Sequence, residues 1–160
     1  MSCFPDTSFL CALYRTQVNS ARADQYMTGL SGSLGVSSLL LLEFRQSVRL
    51  QIRLHLNDQS KGFPQTEGQQ MLNDFQIDLN AGLLTTIPVD WAAVHQRAEA
   101  LSTAHTISSG HRLADILHVA TALHLGVTEF LTFDSNQKKL AQAEALSLSV
   151  PLTSIFDFLK

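Results

Sequence analysis

The sequence predicts an α/β fold with three layers, in which helices flank both faces of a central parallel sheet. Short apolar segments alternate with longer segments of helical periodicity, as they do in βαβ units. The chain has 160 residues, of which 45% are apolar and 16% are charged, a balance that suits one domain with a buried core. The sequence contains no internal repeat and no low-complexity tract. We therefore predict a single domain over residues 1–160.

The elements of the amino-terminal half follow from apolar spacing and loop residues. They are, in order, a short strand around Cys3 and Phe4, a helix through 9–14, a loop at 28–38, a helix at 39–56, a loop at 58–65 and a polar helix at 66–81. Gly and Ser define the first loop, and its Ser37 or Ser38 is expected to cap the next helix. That helix is apolar on nearly every side, so we expect most of it to be buried.

The elements of the second half are delimited by capping and turn residues. They are a strand at 83–89, a helix to about 105, a helix at 111–125, a strand at 129–133, a helix to about 146 and a last strand at 148–152. Val, Ile and Thr indicate the first of these strands. Asp90 is expected to cap the first helix, and Gly126 to end the second.

Four acidic residues stand out once these elements are placed. Asp6 and Asp134 end two strands, and parallel strands gather function beyond their carboxyl ends. On a helical wheel, Glu43 and Asp115 fall among apolar side chains, where a carboxylate needs a cation or a hydrogen-bond partner. One pocket lined by all four would explain their positions. Oxygen donors of this kind are the ligands that Mg²⁺ and Mn²⁺ prefer.

Each acid also has a purely structural explanation. Asp6 and Asp134 are placed to cap the helices that follow them. Asp115 lies in the first turn of its helix, where the helix dipole favours a negative charge. Glu43 could pair with a buried arginine. The sequence leaves these explanations open.

The motifs resemble those of PIN-domain ribonucleases. Residues 6–10 read DTSFL, and Glu43 lies on a helix behind a Val-Ser-Ser lead. Residues 115–123 read DILHVATAL, and residues 132–137 read TFDSNQ. This second half is similar to that of the VapC toxins of bacterial type II toxin–antitoxin systems. The resemblance spans the chain in length and in motif order.

The resemblance implies a PIN domain that is a metal-dependent endoribonuclease and the toxin of such a pair. It implies an Mg²⁺ (or Mn²⁺) cofactor, an RNA substrate such as tRNA or rRNA, a cognate antitoxin and a homodimer. The implied catalytic metal ligands are Asp6, Glu43, Asp115 and Asp134, and the implied supporting residues are Thr7, Thr132 and Asn136. The alternatives are a PIN-domain RNA-processing nuclease without an antitoxin and a catalytically inactive PIN-fold binding module.

The charge distribution argues against broad nucleic-acid binding, because the formal net charge is −3 at pH 7. If a cation neutralises four acids, the balance of the remaining side chains becomes slightly positive. Arg45, Arg49 and Arg53 form a stripe on the helix that carries Glu43. This stripe is either a solvated face or a contact to phosphates or to an acidic partner, and Arg45 is our candidate substrate contact.

Other chemistries find weaker support. His111, Asp115 and His118 share a helix face at a spacing that could hold a transition metal, but such histidines more often pack or form local hydrogen bonds. Ser8 stands where a haloacid dehalogenase phosphatase has its second Asp. The sequence has no glycine-rich phosphate loop. Cys11 has no histidine placed to activate it, so a buried thiol is the simpler interpretation.

The expected compartment is the cytoplasm. Two cysteines cannot staple a domain of this size, and reduced thiols are the simplest interpretation. The longest apolar stretch, Leu39 to Leu42, is too short to span a bilayer. No basic-then-apolar leader opens the chain, so we expect neither a secretory signal nor a membrane association.

Overall fold

Helices and short strands alternate along the chain in the computed structural model, which describes residues 2–148. The elements are β1 (Cys3–Pro5), α1 (Thr7–Tyr14), α2 (Ser20–Gly29), β2 (Leu34–Val36), α3 (Ser38–Asn57), α4 (Gln65–Ala81), β3 (Leu84–Thr86), α5 (Trp91–Ser109), α6 (Leu113–His124), β4 (Glu129–Leu131) and α7 (Ser135–Ala143). The predicted strand at 148–152 lies, apart from its first residue, outside the described residues.

The strands form the middle layer, and all their pairings are parallel. β1 pairs with β4, with Phe4 opposite Phe130, and β2 pairs with β3, with Gly35 opposite Thr85. β1 lies beside β2, so the two pairs are neighbours. Helices cover this layer, which confirms the predicted three-layer α/β fold. The carboxyl ends of β1 and β4 therefore lie together at one edge.

Two elements of the amino-terminal half were not predicted. β2 lies inside the segment predicted as a loop at 28–38, where Leu34 and Val36 are fully buried. Three residues among Gly and Ser are too few to show an alternating pattern. The helix α2 is mostly polar and buries only Ala23, so it lacks the apolar periodicity that would have indicated it.

The core is rich in aromatic side chains. Those with no exposed surface are Phe4, Phe9, Phe44, Phe75 and Phe130. The prediction that α3 is mostly buried was wrong. One face of α3 is buried, whereas Leu42, Leu50 and Leu56 keep 63%, 51% and 65% of their surface exposed. The helix is thus amphipathic in its packing, although its exposed face carries several leucines.

Capping residues set the helix boundaries near the acidic residues. The hydroxyl of Ser37 accepts a hydrogen bond from the backbone of α3, and Asp90 caps α5, as predicted. α5 runs further than expected, to Ser109, and Gly110 closes it with φ of 70°. α6 consequently begins at Leu113, not at residue 111.

Among residues 2–148, no helix combines the length and apolarity that a membrane crossing requires.

Candidate functional site

Asp6 lies at the carboxyl end of β1 and is fully buried. It caps α1, because the backbone N–H of Phe9 donates to its Oδ1 at 2.9 Å. The hydroxyl of Ser8 donates to the same oxygen at 2.7 Å, and the hydroxyl of Thr132 donates to Oδ2. The capping explanation is therefore correct for Asp6, and both of its carboxylate oxygens are held by neutral donors.

Burial dominates the electrostatics of Asp6. Loss of hydration raises the pKa of its carboxyl from 3.8 to about 6, although donors from Thr132, Ser8 and Phe9 and the nearby His118 act in the opposite direction. Because the net effect is a raised pKa, these partners compensate only in part for the free-energy cost of burying the charge. A cation next to Asp6 would supply the missing compensation.

Glu43 projects from the second turn of α3 and is half-buried. Thr7 donates its hydroxyl to Oε2 of Glu43, and Nε2 of the buried His118 contacts the same oxygen. Since a carboxylate only accepts, His118 is the donor in this pair. Burial would raise the pKa of Glu43, but the partners His118, Thr7 and Arg112 together hold it below its usual value. Glu43 is therefore ionised at neutral pH.

Asp115 and Asp134 share an arginine. Nε and Nη2 of Arg112 donate to the two oxygens of Asp115 at 3.1 and 3.2 Å, and Nη2 lies 3.7 Å from Oδ2 of Asp134. Asp115 is 1% exposed. Asp134 also caps α7, because its Oδ1 accepts from the backbones of Asn136 and Gln137 at 2.8 and 3.0 Å. Both acids thus have structural partners.

The four acids occupy one neighbourhood at the carboxyl edge of β1 and β4. Thr132 joins two of them, because its hydroxyl donates to Asp6 and accepts from the backbone N–H of Asp134 at 3.0 Å. Arg112 pairs with Asp115 and Asp134, and its charge also helps to lower the pKa of Glu43. Residues that are remote along the chain therefore meet at the edge that the sequence predicted.

The donor set consists of carboxylate and hydroxyl oxygens around the edge of β1 and β4. Its chemistry fits a divalent ion, because hard cations such as Mg²⁺ take carboxylate and hydroxyl oxygens. Its present arrangement is closed, and within residues 2–148 no three side chains of His, Cys, Asp or Glu stand close enough to hold an ion. Arg112 bridges Asp115 and Asp134, and Glu43 turns towards His118. A metal would have to replace partners that are already in place.

The predicted supporting residues divide into two kinds. Thr7 and Thr132 contact the acids through their hydroxyls. Asn136 contributes its backbone N–H to Asp134, and its side chain is exposed. Within the described part of the chain, that side chain makes no hydrogen bond, so it is free to meet a ligand.

Arg45 does not belong to the acidic neighbourhood. Its Nη2 donates to Gln76 on α4 at 3.1 Å, and its guanidinium lies 5.4 Å from the ring centroid of Phe75. With Arg49 and Arg53 it lines a groove of about 570 Å³ between α3 and α4. Arg45 therefore contacts α4 rather than the acids, and its role as a substrate contact stays a prediction.

Sequence reasoning missed three residues that contact the acids: Arg112, His118 and Ser8. His118 had been expected to pack or to bond locally, but it reaches Glu43 on another helix. Its position three residues after Asp115 was a usable signal, because residues at i and i+3 share a helix face. The transition-metal face of His111, Asp115 and His118 is not assembled, because within residues 2–148 no three such side chains stand close enough to hold an ion.

Cys11 lies close to the acids but is not an activated nucleophile. Burial and the nearby charges of Asp6 and Glu43 raise the pKa of its thiol to about 11. A thiol in this environment stays protonated at neutral pH. Cys11 is only partly buried, and its raised pKa agrees with the expectation of an inert thiol.

The comparison with protein families settles the class of the fold. The PIN domain family profile matches residues 3–143. The chain belongs to the PIN domain family. The family resemblance noted in the sequence is thereby confirmed. No curated protein sequence matches this PIN domain.

Two solved structures resemble this PIN domain. VapC20 of Mycobacterium tuberculosis, described as a toxin that cleaves the sarcin–ricin loop, superimposes with a TM-score of 0.63 at 18% identity over 94% of this chain and 100% of its own. FitAcB from Neisseria gonorrhoeae superimposes with a TM-score of 0.56 at 18% identity. The match covers 88% of this chain and 93% of the FitAcB chain. At this identity the likeness establishes the shared fold.

Proposed function

We propose that this PIN domain is a metal-dependent endoribonuclease and the toxin of a toxin–antitoxin pair. The observation that carries the proposal is the meeting of four acids, Asp6, Glu43, Asp115 and Asp134, at the carboxyl edge of parallel strands. Such edges host the active sites of open α/β folds. Four carboxylates at one place repel one another unless cations neutralise them, so the cluster is suited to a divalent ion.

The residues divide the chemistry between them. Asp6 and Asp115 would hold Mg²⁺ or Mn²⁺, with Asp134 completing its ligands. The ion, when bound, supplies an activated water and neutralises charge on the leaving oxygen. Glu43 stays ionised because of His118 and Thr7, so its free oxygen can accept a hydrogen bond from water and orient it for in-line attack on a phosphodiester.

The proposed RNA contact is the groove between α3 and α4. Arg45, Arg49 and Arg53 line one wall, and the facing side chains are amides and apolar groups with no carboxylate among them. Within the described residues, these three arginines form no ion pair. A positive groove without counter-charges suits a phosphate backbone. This groove gives the arginine stripe noted in the sequence a role in the proposed function.

The toxin assignment draws on the relatives. VapC20, which shares the fold, is described as a toxin that cleaves the sarcin–ricin loop. For this chain, a structured RNA substrate, a cognate antitoxin, a homodimer and a cytoplasmic location are parts of the proposal that follow from the VapC-like motifs.

The test of this function compares two ligand variants with a matched control. Asp6→Asn and Asp115→Asn remove a charge from the site, whereas Asp24→Asn removes one from the exposed side of α2. We expect the control to inhibit growth and to cleave RNA with Mg²⁺ or Mn²⁺ as the wild type does, and both site variants to lose these activities. Intact activity in both site variants would refute the mechanism.

One observation favours a second candidate, the inactive binding module. Arg112 already pairs with Asp115 and Asp134, His118 donates to Glu43, and no three candidate ligands within residues 2–148 are poised for an ion. A module without catalysis would bind no Mn²⁺ at millimolar concentrations. Calorimetric Mn²⁺ binding that disappears in Asp115→Asn would exclude it.

A further inference from the structure

Arg112 is an exposed cation that reaches into the acidic site. Its Nε and Nη2 donate to the two oxygens of Asp115 at 3.1 and 3.2 Å. The same Nη2 lies 3.7 Å from Oδ2 of Asp134. One guanidinium therefore pairs with two carboxylates, one from α6 and one from the loop after β4. The proposed nuclease reaction gives this arginine no role.

The two sides of this ion pair differ in burial. The side chain of Asp115 is 2% exposed, whereas that of Arg112 is 71% exposed. The carboxylate is fixed in the protein, and the guanidinium approaches it from solvent. Arg112 can therefore rotate away without opening the core.

The orientation of Asp115 does not depend on the guanidinium alone. The backbone N–H of Arg112 donates to Oδ2 of Asp115 at 3.2 Å, at the start of α6. This bond remains when the side chain leaves or is replaced. Asp115 thus stays aimed at the site in a variant that lacks the arginine.

We propose that Arg112 is a built-in competitor of the metal, which occupies the cation position at Asp115 and Asp134 and must be displaced when a divalent ion binds. The inference rests on the proposed role of these acids as metal ligands. A guanidinium and a metal ion need the same oxygen lone pairs and neutralise the same charges. The occupied position also explains why no three described ligands converge.

The competition has a measurable consequence. Arg112 lowers the affinity for divalent ions by the strength of the hydrogen bonds that the ion has to break. Bonds between charged groups are among the strong ones in proteins, so removal of the guanidinium is expected to tighten Mn²⁺ binding by about ten- to a hundredfold. The arginine thereby sets the divalent concentration at which the site fills.

The experiment is a calorimetric Mn²⁺ titration of the full chain without RNA. Arg112→Gln removes the charge and the paired donors, and Arg112→Lys keeps the charge but loses the planar fork. Arg97→Gln is the matched control, because Arg97 is an exposed arginine on α5. Thermal unfolding of each variant checks that it is folded.

The inference expects tighter Mn²⁺ binding in Arg112→Gln, an intermediate affinity in Arg112→Lys and wild-type affinity in Arg97→Gln. Equal or weaker binding in Arg112→Gln, with a wild type that binds Mn²⁺, would overturn the competition and leave the proposed nuclease intact. An equal gain in Arg97→Gln would also overturn it. Absence of Mn²⁺ binding in every folded variant would overturn both the inference and the metal-dependent function.

Discussion

The acidic site has two halves that are stabilised in different ways. Asp6 and Glu43 lie against neutral hydroxyls and the imidazole of His118, whereas Asp115 and Asp134 share the guanidinium of Arg112. In the first half the partners are buried or half-buried, and in the second the partner is exposed. The difference indicates that the first half is a fixed framework, and that the second can exchange its cation.

Loss of Asp6 is expected to have the largest effect, and it tests the fixed half. Removing residues that merely support a metal ligand costs about ten- to a hundredfold in activity, so Asp6→Asn should lower Mn²⁺-dependent cleavage by at least about a hundredfold. The same variant should stabilise the metal-free protein by about 1–3 kcal/mol, because it removes a charge whose pKa burial raises to about 6. Urea unfolding in EDTA at pH 7 measures this gain, and a destabilised variant would contradict it.

His118→Ala should destabilise the protein by about 2–4 kcal/mol, because it empties a fully buried site and removes one of the two donors to Glu43. The pKa of Glu43 should then rise, which would move the acid limb of the pH–rate profile to higher pH. His124→Ala, in the last turn of α6, is the control. A profile that does not move would show that His118 only fills space.

Asp6 also predicts a pH dependence of stability. Its pKa is raised in the folded state, so the folded protein binds the proton more tightly than the unfolded chain does. The free energy of unfolding of the metal-free wild type should therefore fall as pH rises from about 3.8 to about 6, relative to Asp6→Asn. Glu43, whose pKa is lowered, acts with the opposite sign and at lower pH. Parallel curves for the two proteins between pH 4.5 and 6 would refute the assignment.

The smallest expected effect concerns RNA binding far from the acids. Replacing Arg49 and Arg53 by Gln should weaken RNA binding several-fold and reduce the salt slope of binding by about 1.4, as two phosphate contacts to a single strand would. The affinity for Mn²⁺ should stay unchanged, because these arginines do not touch either half of the site. An unaltered salt slope would show that the groove is a solvated face.

Much of this architecture was predictable from the sequence. The alternation of elements, the caps at Ser37 and Asp90 and the meeting of four remote acids follow from local patterns and from the rule that parallel strands share a carboxyl edge. β2 was not predicted, because a strand of three residues is too short to show the alternation of apolar and polar side chains.

The partners of the acids were less predictable than the acids. His118 reaches Glu43 across two helices, and Arg112 reaches Asp134 through a long side chain, so both contacts depend on packing that one sequence does not specify.

The most direct test of the whole account is a crystal of the wild type soaked in Mn²⁺ and measured at the manganese absorption edge. We predict an anomalous peak that marks an Mn²⁺ ion within bonding distance of carboxylate oxygens of Asp6 and Asp115. The guanidinium of Arg112 should have moved away from Asp115 and Asp134. A map without such a peak, in which Arg112 still bridges the two acids at saturating Mn²⁺, would contradict the account.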